Sequence, residues 1–222
     1  MRREWLERPG EGPLAAATPV EVIERFLERE VERRPSTLAA LGLSAIQILS
    51  TANDDDSREG VPDSLTVTFT DLEGFTAFTA REGDDTAGRL LTAHQRLVGP
   101  IVRSRGGRIV KHLGDGLLVT FTSPEAAVLS GIELAEACTR PLPLRVGMHC
   151  GEVRVMRDHD VIGHVVNIAA RVVESARGGE VLATAAVRDA AGSMPGVRFG
   201  RLRRRGYRGV DESIAVCTVR RA

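Results

Sequence analysis

An α+β fold with a ferredoxin-like βαββαβ core is predicted for residues 61–222, and three observations support it. From Leu65 onwards the apolar pattern runs strand, helix, hairpin, helix, strand, which is the element order of a split βαβ unit. Hydrophobic residues make up 42% of the chain but aromatic ones only 4%, so an α/β sandwich must be packed mainly from Val, Leu, Ile and Ala. A polar, turn-rich linker over residues 53–62 separates this region from what precedes it. We therefore expect an N-terminal tail, two short helices and a linker over residues 1–60, followed by one domain over residues 61–222.

The region before the linker predicts two short amphipathic helices. Thr18 and Pro19 mark the start of the first, as a capping hydroxyl followed by proline at the first helical position, and Pro35 ends it. The second begins at Ser36 and carries an apolar stripe as far as Leu49. Two such helices bury little surface alone, so we expect them to dock on their own domain or to act as a dimerising or regulatory appendage.

Apolar periodicity and turn residues predict the elements of the main domain in order. The first strand covers Leu65–Thr70 and is rich in β-branched residues. The remaining elements are expected as helical segments over Phe75–Arg81 and Ala87–Ser104, a hairpin of Arg108–Leu113 and Leu117–Thr122, a helix from Pro124 to about Cys138, strands over Leu144–Cys150 and Glu152–Met156, a helix over His164–Ala176, a strand over Val181–Ala183, a helix over Ala185–Ala191, and closing strands over Val197–Arg205 and Ile214–Val219.

Two acidic residues stand where predicted strands end. Asp71 follows the first strand directly, and Asp115 lies in the Gly-Asp-Gly tip of the hairpin, where Asp-Gly between β-rich runs predicts tip residues with positive φ. If the two strands are neighbours, the carboxylates converge on one spot that suits a hard divalent cation and a phosphate. Each acid alone has a simpler interpretation, since Asp71 could cap the next helix and Asp115 could only form the turn.

Two further segments offer phosphate-binding chemistry. Gly74, Phe75 and Thr76 lie at a predicted helix start, whose backbone N–H groups could cradle a triphosphate. Asn167 and Arg171 are four residues apart on a predicted helix and so share one face. An amide and a guanidinium together can orient a ribose and neutralise charge on a phosphate in transfer, although a solvated helix face is the simpler alternative. The apolar face of this helix is expected to comprise Val166, Ala169, Ala170 and Val173.

Three motifs in order resemble the catalytic domain of class III adenylyl and guanylyl cyclases: residues 69–76, residues 111–115, and Asp160 with the helix that follows it. The resemblance covers about residues 62 to 220. It implies a ferredoxin-like class III cyclase domain in which two Mg²⁺ or Mn²⁺ ions per site bind Asp71 and Asp115, with help from the Leu72 carbonyl.

The same resemblance assigns the remaining residues. Lys111 and Asp160 would read the purine, and Asn167 and Arg171 would stabilise the transition state. Arg208 lies in a segment that resembles the family's Lys-Gly turn, where a basic residue contacts the triphosphate. Arginine in place of lysine keeps the charge but alters the geometry of that contact.

Hydrogen-bond polarity predicts the base. An ionised Asp160 accepts from the 6-amino group of adenine and Lys111 donates to N1, whereas guanine presents the opposite pattern at both atoms. The chain is therefore expected to be an adenylyl cyclase that converts ATP to 3′,5′-cyclic AMP and pyrophosphate in signal transduction. Alternatives that stay open are a guanylyl cyclase, another two-metal nucleotidyl transferase, and a cyclase-like domain that only binds nucleotide or regulates.

The resemblance also implies an assembly. In the family the metal ligands come from one catalytic domain, and the purine and transition-state residues come from another. This chain carries both sets, so a head-to-tail homodimer with two shared active sites is expected.

Charge and composition limit the other partners. Thirty basic and thirty acidic residues cancel, which argues against bulk attraction to nucleic acid or to an anionic membrane. The arginines over residues 198–208 are interpreted as a solvated face. We expect no membrane span and no signal peptide, because the apolar segments are too short and the N-terminus is charged. The three cysteines have no metal-ligand spacing, so a reduced cytoplasmic protein is predicted.

Overall fold

The protein is described by a computed structural model that covers residues 63–156 and 160–222. The helices predicted from Thr18 and from Ser36, and residues 157–159 of the loop before Asp160, lie outside the described residues.

The described residues form nine strands and five helices. The strands are β1 (Asp63–Leu72), β2 (Arg108–Leu113), β3 (Gly116–Phe121), β4 (Leu144–Val155), β5 (Val161–Ile162), β6 (Val181–Thr184), β7 (Val197–Phe199), β8 (Arg203–Tyr207) and β9 (Val210–Arg221). The helices are α1 (Phe75–Glu82), α2 (Asp84–Ser104), α3 (Pro124–Ala137), α4 (His164–Glu174) and α5 (Ala185–Ala191).

Within the described residues these strands form one sheet in the order β2-β3-β1-β4-β6-β9-β7, with β5 paired to β4 and β8 paired to β9. The first four strands in this order are antiparallel neighbours, and β4 and β6 are parallel. This is the strand order of a ferredoxin-like unit, so the predicted fold class is confirmed. Because β1 lies between β3 and β4, it is buried without interruption from Leu65 to Leu72.

Helices cover both faces of the sheet, because successive side chains of a strand point to opposite sides. On one face α2, α3 and α5 pack on β1, β3, β4 and β6 in a core that includes Val102, Leu134, Val146 and Val187. On the other face α4 packs through Ile168 and Val172, which join Leu182 of β6 and Val216 of β9.

Glycine allows α4 to approach the sheet closely. A Cβ added to Gly147 of β4 would lie 2.2 Å from the backbone nitrogen of Val173. The buried face of α4 comprises Val165, Ile168, Ala169, Val172 and Val173. The predicted face was wrong in part, since Val166 and Ala170 are only half-buried: the helix turns the 165/168/172 stripe, not the 166/170 stripe, towards the sheet.

The strand predictions differ from the structure at β4, at β7 and β8, and at β5. The two strands predicted over Leu144–Cys150 and Glu152–Met156 are one strand, β4, which ends at Val155 and pairs with β1 from Leu72↔Leu144 to Asp63↔Val153. Gly151 does not break it; a Cβ there would lie 2.9 Å from Cγ2 of Val165, so the glycine makes room for α4. The segment predicted as one strand, 197–205, is instead β7 and β8, which both pair with β9. The short strand β5 was not predicted and pairs with β4.

The β2–β3 hairpin exists, but its tip lies one residue earlier than Asp-Gly predicts. Leu113 pairs with Gly116, so the loop consists of Gly114 and Asp115, and φ is 61° at Gly114. Gly116 already belongs to β3, where a Cβ would lie 2.4 Å from the carbonyl oxygen of Thr70. This glycine is therefore required for the close approach of β1 and β3.

Across residues 63–156 and 160–222, no helix combines the length and the hydropathy needed to cross a membrane.

Candidate active site

The two acids predicted as metal ligands meet at one end of the β1–β3 pair. Thr70 is opposite Leu117 in the register, so the end of β1 lies beside the start of β3. The backbone N–H of Leu72 donates to Oδ2 of Asp115 over 3.3 Å. Asp71 and Asp115 each expose only 5% of their surface. The strands are thus neighbours, which is the condition for the two carboxylates to converge, and the Asp115 carboxylate lies at the backbone of the end of β1.

The helix that follows Asp71 begins after a glycine, and Asp71 pairs with a residue of the neighbouring strand. The N-cap of α1 is Gly74, with φ 83°, and it has no side-chain capping hydrogen bond. Asp71 forms an ion pair with Arg145, which lies directly opposite in β4. Nε and Nη2 of Arg145 lie 2.7 Å and 2.6 Å from Oδ2 of Asp71. Asp71 therefore has a cross-strand partner in β4.

Sequence reasoning missed Arg145. A signal was present, because an arginine between Leu144 and Val146 interrupts an otherwise apolar strand. A charged residue in such a strand needs a buried partner or a polar function. Its partner could not be identified without the pairing of β1 with β4.

The acids fit a hard divalent cation that shares its shell with substrate. Within the described residues, no group of three or more His, Cys, Asp or Glu side chains is placed to hold a metal ion. Mg²⁺ is usually bound by one or two carboxylates together with water and substrate phosphates, so two carboxylates and a strand-end carbonyl are a sufficient donor set. The guanidinium on Asp71 shows that this buried spot already accommodates positive charge.

The two residues predicted to read the purine are in contact within one chain. Nζ of Lys111, on β2, forms an ion pair with Oδ2 of Asp160. Asp160 is buried, and its Oδ1 accepts from the backbone N–H of Val161 over 3.0 Å. The carbonyl of Asp160 accepts from the N–H of Met156 over 2.8 Å, which closes the β4–β5 connection. The carboxylate is therefore held by backbone contacts beside the Lys111 ammonium.

The predicted transition-state residues lie on the side of α4 that faces away from the sheet. Asn167 is exposed and Arg171 is half-buried. Nη1 of Arg171 lies 2.9 Å from both carboxylate oxygens of Glu174. Among the described residues these three cations form ion pairs, Arg171 with Glu174, Lys111 with Asp160 and Arg145 with Asp71.

The remaining predicted contacts lie at two turns. Gly74 and Thr76 are exposed at the start of α1, while Phe75 packs against the core. Arg208 is exposed in the turn between β8 and β9. This turn follows Tyr207, whose hydroxyl lies 3.0 Å from Oγ of Ser175 at the end of α4.

One histidine on β4 is held neutral. Nδ1 of His149 lies 2.8 Å from Oγ1 of Thr184. Burial, with a further contribution from the charge of His164, lowers the pKa of His149 to about 4. It is therefore uncharged at neutral pH.

Comparisons with known proteins agree with this fold. Residues 59–199, more than half of the chain, match the adenylate and guanylate cyclase catalytic domain. The serine/threonine-protein kinase pkn2 of Myxococcus xanthus is 38% identical over 135 residues, which are 57% of this chain and 16% of the kinase. An adenylate cyclase of Streptomyces coelicolor is 37% identical over 140 residues, 61% of this chain and 35% of that protein. The chain thus matches well under half the length of these relatives.

Solved structures show the same architecture. The guanylyl cyclase Cya2 has a TM-score of 0.68 and 24% identity, covering 72% of this chain and 93% of its own. The adenylyl cyclase CyaB from P. aeruginosa has a TM-score of 0.65 and 24% identity, covering 72% and 95%. Both likenesses concern the fold, and they include both base specificities. On the family match and this fold, the chain belongs to the adenylate and guanylate cyclase catalytic-domain family, the class III nucleotide cyclases.

Proposed function

We propose that this cyclase domain is an adenylyl cyclase that converts ATP to 3′,5′-cyclic AMP and pyrophosphate. The contact between Lys111 and Asp160 is the observation that carries the choice of base. The contact places a hydrogen-bond donor, the ammonium of Lys111 on β2, beside an acceptor, the carboxylate of Asp160 at the start of β5.

That pair matches adenine and mismatches guanine. The 6-amino group of adenine donates to Asp160 while its N1 accepts from Lys111. Guanine would set its O6 against the carboxylate and its N1–H against the ammonium, which leaves buried polar groups unpaired. Sites built on such hydrogen bonds discriminate by about 10⁴ to 10⁵.

The two acids Asp71 and Asp115, called the acid pair below, are assigned to the ribose 3′-hydroxyl and the phosphates of the nucleotide. Two Mg²⁺ or Mn²⁺ ions at Asp71, Asp115 and the Leu72 carbonyl would lower the pKa of the ribose 3′-hydroxyl and screen the phosphates. The N–H groups at the start of α1, from Gly74 to Thr76, would bind phosphate oxygens, because the first turn of a helix has donors that the helix itself does not use.

The residues of α4 are assigned to the transition state. Arg171 leaves its pair with Glu174 and neutralises charge that develops at the α-phosphoryl group during in-line attack. Asn167 orients the ribose from the same face of the helix, and Arg208 contacts the triphosphate from the β8–β9 turn. None of these assignments requires a dedicated side-chain base.

A head-to-tail homodimer unites these groups. Each chain carries both the acid pair and the purine and transition-state residues, in separate contacts. A two-fold pairing of identical faces would bring the acid pair of one chain to α4 of the other, and would do so twice.

Product analysis tests the proposal. The purified full chain is incubated with ATP or with GTP, in Mg²⁺ or in Mn²⁺, and cyclic nucleotides are separated by chromatography. We expect cyclic AMP to exceed cyclic GMP by at least about 100-fold, since the contacts to Lys111 and Asp160 are both matched only by adenine. Asp71→Asn should abolish product, and Asp189→Asn, an exposed acid on α5, should not.

Two outcomes would contradict the proposal. A preference for GTP would make the chain a guanylyl cyclase and would overturn the assignment of Lys111 and Asp160. Nucleotide binding without product in either metal would make it a cyclase-like binding domain.

A further inference from the structure

The guanidinium of Arg145 lies between the acid pair and the end of α4. Two of its nitrogens, Nε and Nη2, contact the same oxygen of Asp71, at 2.7 Å and 2.6 Å. The third, Nη1, donates to the carbonyl oxygen of Glu174 over 3.3 Å and lies 3.5 Å from that of Ala176. The carbonyls at a helix C-terminus favour a cation, so Arg145 is held from both sides.

The carboxylates beside Arg145 are buried, so their charge must be balanced by a nearby cation. The side chain of Asp71 is 8% exposed and that of Arg145 is 22% exposed. Asp115 is 5% exposed, and its carboxylate accepts from the backbone N–H of Leu72, the residue that follows Asp71. Two carboxylates withdrawn from water in this way are costly unless positive charge is close to them. The strand register fixes which cation that is, because Arg145 is the direct cross-strand neighbour of Asp71.

We propose that Arg145 is a positioning residue that stands in for the metal at Asp71, stabilising the metal-free site and opposing metal binding. This inference rests on the proposed role of Asp71 as a metal ligand. A divalent cation beside Asp71 meets a guanidinium of like charge, so binding must loosen the ion pair. The carbonyls at the end of α4 keep Arg145 in place when that happens.

The effect of metal on stability distinguishes this role of Arg145 from that of an ordinary buried ion pair. If Arg145 only supports the fold, its removal lowers stability by the same amount with and without metal. If it stands in for the metal, its removal destabilises the metal-free protein more than the loaded one. The rise in Tm on adding metal is then larger in the variant than in the wild type.

The experiment uses the full chain and Mn²⁺ alone, without nucleotide. Tm is measured in EDTA and in excess Mn²⁺, and the Kd for Mn²⁺ is measured by titration calorimetry. For Arg145→Gln we expect a larger Mn²⁺-induced rise in Tm and a roughly tenfold lower Kd than in the wild type. Arg145→Lys, whose single ammonium weakens the pair, should fall between the two.

Arg105→Gln provides the matched control. Arg105 forms a half-buried ion pair with Glu133, between α2 and α3 and apart from the acid pair. Its loss should lower Tm equally in EDTA and in Mn²⁺ and leave the Kd unchanged. Asp71→Asn should remove the Mn²⁺-induced shift altogether.

The outcomes separate this inference from the proposed function. If Asp71→Asn loses the shift while Arg145→Gln keeps the wild-type shift and Kd, the inference is wrong and the metal assignment stands. If Asp71→Asn binds Mn²⁺ as the wild type does, the metal assignment fails and the inference fails with it. If Arg145→Gln folds only with Mn²⁺, the inference is supported. If it folds in neither condition, Arg145→Lys decides, and a wild-type shift there contradicts the inference.

Discussion

The position of α4 on the sheet depends on Gly147, and alanine at this position should displace the helix. A Cβ on Gly147 would lie 2.2 Å from the nitrogen of Val173, 2.5 Å from its Cα and 2.8 Å from the carbonyl carbon of Val172. All three atoms are backbone, and distances below 3.0 Å are essentially never tolerated. The helix must therefore move by about an ångström, because no side chain can rotate away.

The expected cost follows from that overlap. Overpacking of a core costs about 1–3 kcal/mol, and a clash with backbone belongs at the upper end, at about 2–3 kcal/mol. For a chain of this size each kcal/mol lowers Tm by about 2–4 °C, so Gly147→Ala should lower Tm by about 4–12 °C. Because α4 carries Asn167 and Arg171, turnover should also fall by about 10- to 100-fold.

Thermal unfolding and initial rates with ATP measure both effects. Gly88→Ala is the control: Gly88 is exposed in α2 and a Cβ there meets nothing within 4 Å. Alanine should stabilise that helix by about 0.5–1 kcal/mol and leave turnover unchanged. If Gly147→Ala melts within a degree of the wild type and keeps its activity, the proposed close packing of α4 on β4 is refuted.

Three further predictions concern pH, base choice and a buried hydroxyl. The pKa of His149 is about 4 in the folded chain and near 6.5 in the unfolded chain. Between these values the unfolded state binds more protons, so the stability falls as the pH drops from about 6.5 towards 4. His149→Gln should therefore make Tm depend less on pH over that range than it does in the wild type. Lys111→Glu combined with Asp160→Cys should reverse the hydrogen-bond polarity at the base and shift the ATP-to-GTP rate ratio by about 100-fold or more towards GTP, measured as cyclic products; an unchanged ratio would count against these two residues. Oγ1 of Thr68 is buried and the described residues give it no hydrogen-bond partner, so Thr68→Val should raise Tm by about 2–4 °C, and a fall would mean that a partner holds the hydroxyl.

Local sequence signals predicted the strand ends that carry the acids. β-Branched runs with period-two patterning identified β1 and the β2–β3 hairpin, and the glycines at the tip identified the turn. Asp71 and Asp115 were therefore placed at strand ends before any pairing was known. Their burial followed from the position of β1 between β3 and β4, which the element order implied.

Contacts between segments that are distant in the chain could not be predicted from local sequence signals. The Asp71–Arg145 pair depends on the register of β1 against β4, two strands 74 residues apart at this point. Two predicted strands end on either side of Gly151, whereas the glycine lies within β4 where Val165 of α4 approaches the strand. A glycine that ends a strand and one that admits a helix look alike until the packing partner is known.

The short strand β5 illustrates a different limit. Two residues, Val161 and Ile162, carry no periodicity, yet their pairing with Arg154 and Val155 holds Asp160 in place. Its position depends on the return of the chain along β4 rather than on its own composition.

A mixing experiment tests the shared active site most directly. Asp71→Ala chains lack the acid of one half-site and Asn167→Ala chains lack the amide of the other, so a heterodimer holds one intact site and one doubly defective site. With random pairing, half of the dimers are mixed, and about a quarter of the wild-type cyclic AMP rate should return. A mixture as inactive as either parent would contradict the account.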